Sequence, residues 1–406
     1  DGRSVAARGS VTGPGQKAPL RYEVIWDLAT RRPTAERALA ALPKVDSVTT
    51  DGRTAVAYEV TTRPAGPAEA KAGFPGEYTT DLRAFDGLTG RLLMTIRVPD
   101  QFTYHYAVSP DGQTVATVSG RRGAVPAHPM ATLNVRLWEV RTGRERAVVS
   151  LKAPGHYDPF AIAFSADGRL MAVSRTAGRI EVIDLATGRE LVSRTGYESP
   201  SYRVAFRPDG RRLASGHLDG TIVMWDVPAP PTVAAMAEAL EAAWADLASE
   251  NAGRAYSATW TLTSSPAAAV TLLGGRLKPA DPAVIDRVRT QVATLDSKSF
   301  QAREAAAAEL ANLAGTADAV LRDMARGKLS AEQSARLQRL LDGPAVVRSP
   351  EDLRTLRAIE TLERISTPEA IALLKELAAG PAGLRPAREA RAALDRLADR
   401  PAPPRK

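Results

Sequence analysis

Residues 206–227 read FRPDGRRLASGHLDGTIVMWDV, three short apolar runs divided by two Asp-Gly turns. Gly and Asp at such places supply the positive φ angles or local hydrogen bonds that tight hairpins need. The pattern is not alone in the chain. Its turn recurs as TTDG (49–52), SPDG (109–112) and SADG (165–168), with a further Asp1-Gly2 at the start. Each turn is followed by a short apolar strand and then by a second, more apolar one: EVIWD (23–27), RAFD (83–86), VRLWEV (135–140), IEVIDL (180–185) and IVMWDV (222–227). Four of these five run into a second tight turn, LATRR, GLTGR, VRTGR or LATGR. An active site does not repeat in this way, so the stretch reads as one copy of a structural unit.

The last two copies of the second strand stand 42 residues apart, from Ile183 to Trp225. That period, with strands flanked by turns, is the signature of a four-stranded propeller blade. The near-continuous apolar character of TIVMWDV predicts a strand covered on both faces. The region resembles a WD40-repeat β-propeller of bacterial type. The resemblance rests on Trp26-Asp27, Trp225-Asp226, Trp138-Glu139, the weaker Phe85-Asp86 and Ile183-Asp184, and the Gly155-His156 dipeptide. It implies an all-β propeller of four to five blades over residues 1–228.

In that family a buried His, Ser/Thr, Asp and Trp network braces a blade, and only pieces of it are present. One blade pairs His156 with Ser174 but has Ile183 in place of Trp, and another has Ser215, Asp219 and Trp225 with Tyr197 in place of His. His217, despite its GH spelling, reads as a local residue beside a turn. The resemblance also implies that each outermost strand follows the Trp-Asp strand, as ELVSRT (190–195) follows IEVIDL. After IVMWDV comes PAPPTV, whose prolines lack the N–H that a ladder needs. The last blade is therefore expected to lack its outer strand, and the ring to be completed by chain upstream of Asp1.

Past a Pro-rich hinge at 229–232 the strand pattern stops, and an all-α region is expected over 233–398, ahead of a solvated tail at 399–406. Val233, Met236, Leu240, Ala243, Trp244 and Leu247 are spaced for one face of a helix. RAYSATWTL, REAAAAEL and RTLRAIETL align at Leu262, Leu310 and Leu362. Ser265-Pro266, Asp281-Pro282, Ser349-Pro350 and Thr367-Pro368 mark helix starts, and Ser330 with Gln333 a capping box. TPEAIALLKELAAG resembles a HEAT-like repeat, with an extra helix per unit at 282–295 and 331–341. Trp244 and Trp260 are expected in the core or at a seam with the propeller.

The 54 basic and 46 acidic residues give a net charge of +8. Residues 1–228 hold 30 basic and 24 acidic residues, and the charges are spread through turns rather than gathered in a stripe, which argues against nucleic-acid binding. There is no Cys, so disulfides and thiol catalysis are excluded, and no apolar run approaches a membrane span. The chain has no P-loop, no HExxH and no nucleophile elbow. Its four His residues sit at unrelated blade positions, so no metal site, cofactor or small-molecule substrate is implied.

Successive turns of a meander alternate between two ends of a propeller. The Asp-Gly and Thr-Gly-Arg turns share one end, and the insertions 9–21, 62–80 and 120–133 share the other with the connections 99–105, 153–159 and 196–201. That second end gathers Phe102, Tyr104, Arg121, Arg122, Tyr157 and Tyr197, the aromatic and Arg types enriched at interfaces. The expected function is a non-catalytic protein-interaction scaffold. The alternative is the regulatory part of a larger signalling enzyme, such as a protein kinase, whose catalytic domain lies upstream.

Overall fold

The computed structural model describes residues 4–11, 20–27, 32–38, 47–49, 53–63, 77–87, 90–98, 102–120, 133–151, 159–175, 178–195, 197–231, 233–344 and 346–399. Arg121, Arg122, His156, Tyr157 and the tail after residue 399 lie outside them, as do the middles of the three insertions. Five antiparallel sheets follow in chain order, each a meander. The first holds β1 (Ser4–Val11), β2 (Leu20–Asp27) and β3 (Arg32–Ala38), and the second β4 (Ser47–Val48), β5 (Thr54–Arg63), β6 (Glu77–Asp86) and β7 (Leu92–Val98). The third holds β8 (Phe102–Val108), β9 (Thr114–Gly120), β10 (Leu133–Glu139) and β11 (Glu145–Leu151). The fourth holds β12 (Pro159–Phe164), β13 (Leu170–Arg175), β14 (Ile180–Asp184) and β15 (Arg189–Arg194). The last has only β16 (Ser201–Phe206), β17 (Arg212–His217) and β18 (Ile222–Asp226), without a fourth strand on the Trp-Asp side.

The second to fifth sheets stack as blades. β8 lies beside β4 and β12, and β12 beside β16, so the first strands of successive blades are neighbours. Alternate residues of a strand point to opposite faces, and the third sheet uses both. Val115, Trp138 and Val140 pack on Val56, Leu82 and Met94 of the blade before, while Ala116, Val118 and Leu137 pack on Met171, Val173 and Ile183 of the blade after. β13 and β14 are buried along their whole length.

β18 departs from the reading of TIVMWDV as a strand covered on both faces. Trp225 packs inward with Leu213 and Val227. Ile222 and Met224 on the other side are 72% and 53% exposed, because no described sheet packs there. A second departure concerns 99–105: the alternating aromatics of FTYHY favour a pleated, half-buried strand, so Phe102 and Tyr104 belong to β8 rather than to a connection.

Ten helices are described after the hinge: α1 (Ala237–Asp246), α2 (Ala252–Thr263), α3 (Pro266–Gly274), α4 (Ala283–Thr294), α5 (Phe300–Leu313), α6 (Asp318–Ala325), α7 (Ala331–Asp342), α8 (Pro350–Ile365), α9 (Pro368–Ala378) and α10 (Arg385–Asp399). Ser349 and Thr367 cap α8 and α9 with Pro in the first turn, and Ser330 with Gln333 closes the capping box of α7. Ser265 instead accepts from Ala235 N, and Asp281 accepts from Ala283 N. The first helix is shorter than its periodicity predicts: Met236 is its extended N-cap, and Val233 and Met236 are 84% and 70% exposed. α1, α2, α3, α8, α9 and α10 share one core that includes Leu262 and Leu362, and α4 to α7 build a second around Leu310.

Candidate interaction surfaces

Helix α8 carries Arg357, Glu360 and Arg364 at spacings that align them along one side. Such a stripe of charge normally faces water, yet all three side chains are buried. They meet the turn end of the propeller region. Arg357 binds the Glu139 carboxylate from Nε at 2.8 Å and Nη2 at 2.7 Å, and its Nη1 donates to the carbonyls of Leu247 and Ser249, each at 2.7 Å. Glu360 accepts from Arg141 at 2.6 Å and from Arg146 at 2.8 and 3.0 Å. Arg364 donates to the Asp111 carboxylate at 2.8 Å and to the Asp167 carbonyl at 3.0 Å, so one guanidinium spans the Asp-Gly turns of two neighbouring blades.

Those turns are shaped for the contact. Asp111 Oδ1 accepts from Gln113 N at 3.0 Å, and Gly112 and Gly168 adopt φ of +68° and +70°, conformations that only glycine takes readily. The Asp side chain that closes the turn is therefore held with its second oxygen free for Arg364.

Aromatic contacts continue the seam. Trp260 and Tyr256 of α2 pack with the third and fourth blades, Arg364 lies 4.7 Å from the Trp260 ring centroid, and Arg146 lies 5.2 Å from that of Tyr256. Further out, Arg91 pairs with Asp318, Arg53 with Asp395 and Arg144 with Glu250. All of these contacts fall on the end that carries the Asp-Gly and Thr-Gly-Arg turns.

Buried charges are tolerable only when compensated, and here each carboxylate has cations around it. Burial alone would raise the Glu139 carboxyl, but the Arg357 hydrogen bonds and the charges of Arg146, Arg357 and Arg141 lower it to about 2. Burial likewise opposes ionisation of Glu360 and Asp111. Arg146, Arg141 and Arg364 nonetheless hold Glu360 well below the usual carboxylate range, and Arg364 lowers Asp111. The partner guanidiniums of Arg146 and Arg364 are shifted up despite their burial.

On the opposite end, the side chains of Phe102 and Tyr104 lie outside the description, as do Arg121, Arg122 and Tyr157 entirely. Tyr197 is described: its hydroxyl donates to Asp219 at 2.8 Å and its ring lies 4.4 Å from that of His217. The described contacts of Tyr197 are thus with Asp219 and His217 of the last blade.

Among the blade residues, the side chains of Trp26 and Asp27 are likewise outside the description. Trp138 Nε1 donates to Thr117 Oγ1 at 3.0 Å, Asp184 is bound by Arg169 Nε at 3.1 Å, and exposed Asp226 pairs with Arg212. In the last blade Trp225 Nε1 donates to Ser215 Oγ at 2.7 Å, Ser215 meets His217 Nε2 at 2.7 Å, and His217 Nδ1 meets the Ser199 carbonyl at 2.7 Å. A carbonyl only accepts, so Nδ1 carries the proton and Nε2 receives the serine hydroxyl hydrogen. His217 is therefore a brace of this blade, built from within β17, while Tyr197 caps Asp219 beside it. The reading of His217 as a local residue beside a turn does not include this brace, and its signal is the Ser-x-His spacing on one face of β17, next to Leu213, which pairs with Trp225.

Residues 188–226 match the family model of the WD domain, G-beta repeat. The chain carries a WD40 repeat. Curated relatives agree. The chain is 31% identical to WD repeat-containing protein SL1-17 of Schistosoma mansoni over 34% of this chain and 41% of that protein. It is 26% identical to WD repeat-containing protein 82 of Drosophila melanogaster over 34% of this chain and 46% of the relative. The chain thus spans less than half the length of these WD40 relatives. Among solved structures, Kuenenia stuttgartiensis hydrazine synthase aligns at 14% identity and a TM-score of 0.35, over 52% of this chain and 66% of that one, too slight a likeness to support an argument. Among the described residues no His, Asp and Glu cluster is placed to hold a metal ion, and no helix is long and apolar enough to cross a membrane.

Proposed function

We propose that this WD40-repeat chain is a protein-interaction scaffold that recognises partners through the end of its blades opposite the helical region. The observation that supports the reading is the occupation of the turn end: Arg357, Glu360 and Arg364 of α8 are already spent on Glu139, Arg141, Arg146, Asp111 and the Asp167 carbonyl. A partner of the propeller region then meets the end that carries the insertions, with Phe102, Tyr104, Arg121, Arg122, Tyr157 and Tyr197 as candidate anchors. Aromatic and Arg side chains on the loops and strand ends of a rigid scaffold are the residue types that carry binding energy in protein interfaces. WD repeats in the relatives named above fit the same class of role, and the HEAT-like helical region adds an elongated surface of its own.

Affinity capture tests this directly. The unmodified chain is compared with the Arg121→Glu plus Arg122→Glu double variant and with a Lys375→Glu control on exposed helical surface. The reading predicts that the double variant loses a partner which the control retains. Identical partner sets for all three proteins would remove the loop end as the recognition surface.

A further inference from the structure

A cavity of about 130 Å³ lies in the seam between the propeller turns and α10. A single water needs only about 10–15 Å³ measured in the same way, so the space suits a small molecule. Its wall includes Arg53, Arg385, Arg388 and Arg396 against Asp86, Asp111, Asp318 and Glu389, an equal number of each sign. A bare anion or a bare cation gains nothing from such a balanced wall. A molecule bearing both charges can align with it.

The charged groups largely satisfy one another: Arg388 binds Asp318 at 2.6 Å, Arg385 binds Glu389 at 3.3 Å, and Asp111 is held by Arg364. Two atoms are left over. Gln113 is 7% exposed, and its amide nitrogen gives its hydrogens to the Asp111 carbonyl and to Glu389, each at 3.3 Å. This fixes the amide orientation, and Oε1 remains a buried acceptor with no hydrogen bond. Arg388 Nε is a buried donor in the same condition. Leaving such groups unmatched is unfavourable, so an open acceptor and an open donor bordering one cavity call for a ligand with complementary ends.

We propose that this seam cavity binds a small zwitterion of the free α-amino-acid class, its ammonium on Gln113 Oε1 and its carboxylate on Arg388. The wall is built from both regions, with Gln113 on the propeller turn and Arg388 on α10, so an occupied site ties the helical region to the blades. The site is independent of the partner surface on the opposite end.

Titration calorimetry of the full chain with glycine, L-alanine and L-serine tests the assignment, with acetate, methylammonium and acetamide as half-ligands. At least one amino acid is expected to bind tenfold or more tighter than every half-ligand. Gln113→Leu, which removes the open acceptor, and Ala392→Leu, which fills the wall from α10, are each expected to weaken that binding at least tenfold. No heat from any amino acid means a hydrated cavity only and overturns the proposal. So does equal binding by a half-ligand, or full binding by both folded variants. The half-ligand series on the unmodified chain decides the matter even where a variant fails to fold.

Discussion

Arg364 and Asp111 stand 253 residues apart in the chain, and their side chains meet at 2.8 Å inside the seam between helix α8 and the propeller turns. The same guanidinium touches Glu360 at 3.1 Å and lies over Trp260. Arg364→Ala would leave the Asp111 carboxylate buried without its cation, and removing one member of a buried pair costs about 3–5 kcal/mol. Urea denaturation is expected to show a loss of that size, with Arg364→Lys intermediate because an ammonium cannot fork between two turns. A change below 1 kcal/mol for the alanine variant would mean that the contact is not formed.

The network predicts non-additivity. Glu139→Gln or Arg357→Gln alone leaves the buried network one charge out of balance, whereas the double variant removes one charge of each sign. A double-mutant cycle on unfolding free energy is expected to return a favourable coupling in the range of about 0.5–3 kcal/mol seen for contacting residues. Additive effects would separate the two side chains.

The acid limb of stability carries the same signature. The folded-state value of Glu139, about 2, is below its ordinary 4.5, and Glu360 and Asp111 are also depressed. A depressed carboxylate contributes stability above its unfolded value and loses it as pH falls toward the folded one. The melting temperature is therefore expected to fall steeply between about pH 4.5 and pH 2. The Glu139→Gln plus Arg357→Gln variant should be less steep over that window, and an unchanged slope would discount Glu139 as a contributor.

Gly178 and Gly188 separate contact from backbone strain. Both have positive φ, +66° and +68°. A Cβ on Gly178 would stand 1.5 Å from the Tyr197 carbonyl oxygen, whereas one on Gly188 has nothing within 4 Å. Gly188→Ala is expected to cost only the left-handed penalty of about 1–2 kcal/mol, and Gly178→Ala clearly more. Equal losses in thermal unfolding would deny the close approach of the two turns.

Much of this was legible in the sequence. The Asp-Gly and Thr-Gly-Arg turns follow from turn chemistry, and the missing strand after Asp226 from the prolines of PAPPTV, both of which are local. The capping residues Ser349 and Thr367 are local too. What escaped was set by packing between distant parts. The stripe Arg357, Glu360 and Arg364 has the spacing of a solvated helix face, and only its opposition to Glu139, Arg141 and Arg146 buries it. Ile222 and Met224 read as core because their strand is apolar throughout, yet a strand's burial depends on the neighbour it meets. The bracing role of His217 was hidden because the hydrogen bond to Ser199 spans a connection.

The helical region sits on the turn end of the blades. Arg53 and Asp395, one from each region, pair at 2.6 Å near the surface, and the chain has no Cys of its own. In the Arg53→Cys plus Asp395→Cys variant, a short bismaleimide added to dilute protein is predicted to close an intrachain bridge, seen by mass as one linker joining the two peptides. Separate labelling of the two cysteines, with no bridged species in the folded protein, would contradict the docking.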